Sequence, residues 1–203
     1  MAEWLKAHDS KSCRQQCLGG SNPLASANQW LFVKMNEMLI YENLFESKLA
    51  NFDIKWPKVS SRGIVLKGSK MLAFVKQNTC QYKLPGGGRE GAETPKETFV
   101  REILEETGYT VKNIQKLGIT KGYTQTSHVF TAEADRYVGE NLDDDEIAEN
   151  SKPVEITPQE FLEKCSAFLE EHRGKNDEDS MIKYAISLRD FHIVKYYLEN
   201  IKN

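Results

Sequence analysis

Gly87–Tyr109 reads GGREGAETPKETFVREILEETGY, and the rest of the chain is organised around it. Its polar letters fall at fixed intervals: Gly87, Glu93, Arg101, Glu102, Glu105, Glu106 and Gly108. Thr94, Pro95 and Glu97 form a helix-start signal, in which a hydroxyl caps the first turn, proline takes the first helical position and glutamate reaches back to the cap amide. Gly108 suits the left-handed residue that closes a helix, so a helix is expected from Pro95 to about Thr107. At helical spacing Glu102, Glu105 and Glu106 share one face, while Phe99, Val100, Ile103 and Leu104 share the next. Like charges three and four residues apart repel unless a cation sits among them, and oxygen-only carboxylate ligands favour a hard ion such as Mg²⁺. Just upstream, Leu84-Pro85-Gly86-Gly87-Gly88 reads as a loop where backbone can approach a ligand closely. A Gly86 or Gly87 carbonyl could add a metal ligand there, and Arg89 is placed to meet a phosphate.

The spacing G-x5-E-x7-R-E-U-x-E-E-x-G-U, with U aliphatic, is the Nudix box, and this segment resembles it at every fixed letter. Ile103 fits the first U, whereas Tyr109 replaces the aliphatic residue at the last, a packing position. Seven fixed letters at ordinary usage coincide by chance on the order of 10⁻⁹ per register, which sets aside a merely solvated acidic helix.

The resemblance implies an α/β class, specifically an α/β/α sandwich with a mixed β-sheet. It also implies an Mg²⁺-dependent hydrolase, Mn²⁺ being able to substitute, that cleaves a phosphoanhydride in a nucleoside diphosphate linked to another group. A nucleotide sugar, a dinucleoside polyphosphate or a nucleoside triphosphate would each fit. Glu102, Glu105 and Glu106 would be metal ligands with the Gly86 carbonyl, and Glu102 could instead help to deprotonate the attacking water. Arg101 would pair with a carboxylate such as Glu93 and hold the geometry. In several relatives a further acid comes from a loop beyond the box; Asp143-Asp144-Asp145-Glu146, continuing to Glu149, is the corresponding place, although such a run also reads as a solvated loop. Tyr82 and Tyr123 are candidates to stack on a base, with core packing the competing reading for any aromatic on a strand. His128 reads as structural rather than catalytic. A nucleotide-binding sensor or scaffold without turnover is the alternative function, and the intact set of three glutamates speaks against it.

Outward from this segment, the 203 residues suit one domain, expected over 56–203, with an appendage over 1–55. The formal charge of −3 and the absence of a long basic run argue against a dedicated nucleic-acid binder, although an RNA end could still be a substrate, and the absence of a signal-like or spanning stretch points to a cytoplasmic protein. Cysteines at 13, 17, 80 and 165 are too few and scattered for a disulfide framework, so reduced thiols are expected. Residues 1–27 read as a weakly structured leader; His8, Cys13 and Cys17 match no zinc spacing. The apolar density from Asn28 to Phe52 suggests an N-terminal helical extension, covered either by the domain itself or by a second copy in a homodimer. Strands are expected at Ser61–Lys67, Met71–Val75, Asn78–Leu84, Ile114–Tyr123, Ser127–Ala134 and Pro153–Ile156. Thr157-Pro158-Gln159-Glu160 repeats the capping signature before a helix with Cys165 buried in it, and a last helix starts near Asp179.

Overall fold

The computed structural model describes residues 39–42, 59–121 and 125–201. In chain order the elements are β1 (Leu39–Glu42), β2 (Val59–Lys67), β3 (Lys70–Lys76), β4 (Gln81–Lys83), β5 (Gly86–Gly88), α1 (Pro95–Thr107), β6 (Tyr109–Lys121), β7 (Thr126–Tyr137), α2 (Asp144–Ala148), β8 (Ser151–Ile156), α3 (Pro158–His172) and α4 (Glu178–Asn200). Among the described residues eight strands form one mixed sheet along the path β1-β6-β7-β2-β3-β4, with β5 paired to β2 and β8 to β3. The β1–β6 and β2–β7 pairs are parallel, and the other pairs are antiparallel.

Because strand side chains alternate, neighbouring residues feed opposite layers. Ile64, Met71, Ala73 and Val129 pack against Phe161, Cys165 and Leu169 of α3 and Leu188, Phe191 and Val194 of α4. Val65, Leu72, Phe130 and Ala132 instead meet Phe99 and Ile103 of α1. The result is the expected α/β/α sandwich. Phe99 stacks on Phe130 with ring centroids 5.1 Å apart, and burying Phe99 and Ile103 contributes roughly 1.5–3 kcal/mol each. The same contact pins the acidic helix to the sheet.

Both capping boxes form. Thr94 accepts from the Glu97 amide while Glu97 accepts from the Thr94 amide, and Gly108 closes α1 in the left-handed region at φ 72°. Thr157 and Glu160 do the same for α3. Tyr109 takes the expected packing role, its hydroxyl accepting from Lys67 Nζ at 2.7 Å and its ring lying 5.1 Å from that of Tyr137.

Several expectations are corrected. Leu39–Glu42 is a strand where a helical extension was expected, its backbone pairing with Gly118–Lys121 of β6; the remainder of the extension, with the leader and the dimer contact assigned to it, lies outside the described residues. Val100 faces solvent rather than joining the apolar arc. The supposed loop Gly86–Gly88 is itself a strand, because Ser60–Arg62 offers it a ladder. β6 starts at Tyr109, five residues before the expected position, and its long pairing with β7 is broken by register shifts. Cys165 is free and fully buried as expected, but Cys80 is disulfide-bonded where a reduced thiol was expected. No helix of the described residues is long and apolar enough to cross a membrane.

Candidate active site

The site grows from the β2–β5 ladder. Gly63 N donates to Pro85 O and Arg89 N donates to Val59 O, so these register positions exchange the ladder bonds. In an antiparallel pair the alternate positions point their backbone groups outward. Gly86 and Gly88 therefore turn N–H and C=O away from β2, toward α1. Gly86 N donates to Glu106 Oε2 at 2.6 Å, and Gly88 O accepts from Arg101 Nη2 at 2.8 Å. Glycine is required at this approach. A Cβ on Gly87 would lie 2.3 Å from Glu102 Oε2, and one on Gly86, where φ is 137°, would lie 2.2 Å from Ser61 O.

Arg101 ties the acids together. Its Nε donates to Glu93 Oε1 at 2.8 Å, and its Nη1 lies 2.8 Å from Glu105 Oε2 and 2.9 Å from Glu102 Oε1. The expected partner Glu93 is thus one of four, Glu90 Oε1 lying 3.7 Å from Nη1. The Arg101–Glu93 bond, followed by the one from the Glu90 amide, holds the Glu93 carboxyl down at about 2. The three glutamates of the acidic face differ in depth, with side chains 14%, 39% and 5% exposed for Glu102, Glu105 and Glu106. Burial pushes the Glu102 carboxyl up and that of Glu106 to about 8, against the opposing pull of Lys83, whose Nζ lies 3.9 Å from Glu106 Oε1. Both carboxyls are held above the ordinary carboxylate range, so added positive charge beside them would favour their ionised forms.

Among the described residues no three acid, histidine or cysteine side chains already converge on one point. Arg101 stands between Glu102 and Glu105 instead. The set still fits a hard divalent cation in kind, being all oxygen, with the outward Gly86 backbone beside it and the Glu102 carboxylate lying where a side chain on Gly87 would stand.

The other predicted residues fall in different places. Arg89 is exposed just past β5. Tyr82 sits on β4 with its ring packed on the α3/α4 core and 6.0 Å below Lys164 Nζ, while Lys83, one residue on, faces Glu106. The geometry therefore gives Tyr82 to the core and does not bring it to the glutamates. Tyr123 lies outside the described residues. In the acidic run, Asp143 caps α2 through the Glu146 amide, Glu149 pairs with Lys76, and Glu146 is near enough to Glu106 to help raise its carboxyl. The loop docks on the end of α1 through Val138 N to Gly108 O and Asn141 N to Glu105 O.

Two groups near the site escaped the sequence reading. Arg62 of β2 is buried, its guanidinium pushed down to about 10 by burial and by Arg189, with Asp190, Glu106 and Glu102 pulling the other way. Strand alternation through Ser61-Arg62-Gly63-Ile64 put Arg62 on an inward face, a usable signal. Asp190 of α4 is fully buried and gave none, since the partners that draw it inward, Leu84 and Arg62, lie far off in sequence.

A glycine strand, an acidic helix behind its own cap and an α/β/α sandwich around them define the class. The NUDIX domain family matches residues 57–174, and the chain belongs to that family. An ADP-ribose pyrophosphatase of Bacillus subtilis (strain 168) is 39% identical over 88 residues, covering 39% of this chain and 45% of that protein. An oxidized purine nucleoside triphosphate hydrolase of Danio rerio is 33% identical over 108 residues, covering 51% of this chain and 65% of that protein. The chain spans less than two thirds of the length of either relative. Among solved structures, a NUDIX hydrolase from Nitrosomonas europaea aligns over 63% of this chain and 88% of its own at 21% identity, with a TM-score of 0.45.

Proposed function

We propose that the protein is an Mg²⁺-dependent pyrophosphohydrolase of small nucleotides, cleaving a phosphoanhydride in a nucleoside diphosphate linked to another group. The observation that carries this reading is the acidic face of α1, held by Arg101 against the outward backbone of β5. The names of two relatives, an ADP-ribose pyrophosphatase and an oxidized purine nucleoside triphosphate hydrolase, point to the same class.

Glu102, Glu105 and Glu106, with the Gly86 carbonyl, would hold the metal. When bound, it supplies positive charge against the phosphate oxygens and acidifies a coordinated water. The chain's own residues do the positioning. Arg101 fixes Glu93, Glu102 and Glu105 in one plane of approach and ties them to Gly88 O. Glu106 is oriented by the Gly86 amide and by Lys83. Glu102, whose carboxylate lies against Gly87, would accept the proton of the attacking water. Arg89, exposed at the rim, would meet the outer phosphate. Phosphoryl transfer asks the protein mainly for such placement of charge.

The test is a panel of nucleotide sugars, dinucleoside polyphosphates and (d)NTPs with Mg²⁺ or Mn²⁺, read as phosphate and monophosphate release. Glu105→Gln should lose at least ~10²-fold in kcat on whichever substrate is turned over, with the fold intact by circular dichroism. Turnover of none by the native protein would move the reading to a nucleotide-binding module, and an unchanged rate in the variant would overturn the ligand assignment.

A further inference from the structure

The family match ends at residue 174, before α4 begins at Glu178. Helix α4 is buried along an unbroken run from Ser187 to Val194, and that run includes Arg189, Asp190 and His192 among its apolar residues. A buried carboxylate is costly unless its oxygens are engaged, and Asp190, 0% exposed, divides its two oxygens between its neighbour on the helix and the segment that leads into the glycine strand. Its Oδ2 accepts from the backbone N of Leu84 at 2.8 Å, and its Oδ1 accepts from Arg189 Nε at 2.8 Å and lies 4.0 Å from Arg62 Nη1.

Leu84 is two residues before Gly86. Between them, Pro85 removes one donor and fixes its own φ, and Pro85 O accepts from Gly63 N. The Leu84–Gly86 segment is thus clamped by Asp190 at one end and by β2 in the middle, and at its far end Gly86 N donates to Glu106 Oε2 at 2.6 Å. A second arm runs beside it. Arg62 pairs with Gly86 across the ladder, and its buried guanidinium, 4.0 Å from Asp190 Oδ1, also feels the charges of Glu106 and Glu102. A second anchor on α4 holds the adjoining strand, where Gln81 Nε2 donates to Lys183 O and Ser187 Oγ, each at 3.0 Å.

We propose that α4 completes the active site, with Asp190 as a positioning residue that sets, through the Leu84 amide and Arg62, where Gly86 meets Glu106. This rests on the reading of Glu106 as a metal ligand. Groups that orient a ligand from behind typically change metal affinity by roughly 10- to 100-fold when removed. Helix α4 is then part of the catalytic architecture rather than a cover for the sheet.

The experiment measures Mn²⁺ binding to the full chain by electron paramagnetic resonance, without substrate, well below each variant's melting temperature. Asp190→Ala should weaken Mn²⁺ binding by about 10-fold or more. Asp190→Asn, which keeps an acceptor for the Leu84 amide but drops the charge facing Arg62, should fall between it and the native chain. Leu188→Ala, a cavity on the same helix that removes none of the bonds to the Leu84 amide or Arg62, should lower the melting temperature while leaving the Mn²⁺ affinity unchanged. Native affinity in Asp190→Ala, or an equal loss in Leu188→Ala, overturns the proposal. If Asp190→Ala does not fold, native affinity in Asp190→Asn and Arg62→Lys together overturns it. Failure of the underlying reading is distinguishable: Glu106→Gln would then bind Mn²⁺ as the native protein does.

Discussion

Arg101 is the residue on which the site's charge balance turns. Its planar fork reaches Glu93, Glu102, Glu105 and Gly88 O at once, a geometry that a single ammonium cannot reproduce. Arg101→Lys keeps the charge and loses the fork. Its side chain is about one fifth exposed, so solvent screens part of the effect, and a destabilisation of about 1–2 kcal/mol is expected by urea unfolding. The rate should suffer more than the fold, by at least ~10-fold in kcat on the substrate found in the panel, because Glu102 and Glu105 lose their common restraint. A variant that melts earlier but turns over normally would reduce Arg101 to a structural tie. The partner Glu93 could be anticipated from the sequence, since the two letters belong to one spaced pattern. The simultaneous hold on Gly88 could not, because it depends on β5 turning its carbonyls outward.

At the scale of the element, α1 was legible almost to the residue, and the reason is that its determinants are local: a cap, a proline, a reaching glutamate and a closing glycine all act within one turn of where they stand. The exception on this helix, exposed Val100, shows the limit of an arc drawn from periodicity when the covering layer is narrow. Strand β5 was not legible. Three glycines have no side-chain pattern, and only the partner strand makes them a ladder. Their lack of side chains has a direct test. Gly87→Ala would place a methyl 2.3 Å from Glu102 Oε2, a contact that must push the carboxylate aside. Glu102 can swing, so the global cost should stay near 1–2 kcal/mol, within the range for overpacking, while kcat falls disproportionately. Thermal melting and steady-state rates on the same preparation separate the two effects. A Gly87→Ala enzyme of native kcat would show that Glu102 has no fixed place in the reaction. By contrast, Thr94→Ala removes only a cap, and about 1 kcal/mol of stability should go with it.

The whole molecule is where sequence reading failed most, and it failed on buried charge. The α3/α4 layer was expected as apolar periodicity, yet Arg62, Arg189, Asp190 and His192 lie inside it. Periodicity ranks positions by hydropathy, and a buried ion pair is invisible to that ranking because its partners come from β2 and α4, more than a hundred residues apart. These groups give stability a shape in pH that can be derived. Burial lowers His192 to about 4 from an ordinary 6.5, so between those values the unfolded chain binds more protons and stability falls as pH falls. Glu106 has the opposite sign. Its carboxyl is raised to about 8 from 4.5, so the native state holds the proton more tightly and stability falls as pH rises through that window, with Glu102 raised in the same direction. Between 4.5 and 6.5 the His192 and Glu106 slopes oppose each other; above 6.5 the histidine no longer contributes and the decline from Glu106 stands unopposed by it. Metal-free protein should therefore lose about 2 kcal/mol between pH 6.5 and 8, at 1.36 kcal/mol per unit over the remaining 1.5 units. Glu106→Gln should abolish that decline, since a neutral amide has no proton to lose. Saturating Mg²⁺ should abolish it in the native protein, by supplying the cation that burial withholds, and leave the variant unmoved. Urea unfolding at half-unit pH steps in chelator and in Mg²⁺ reads all three curves. A decline above pH 6.5 that persists in Glu106→Gln would place the titrating group elsewhere and remove the physical basis for treating Glu106 as the deepest of the metal-binding acids.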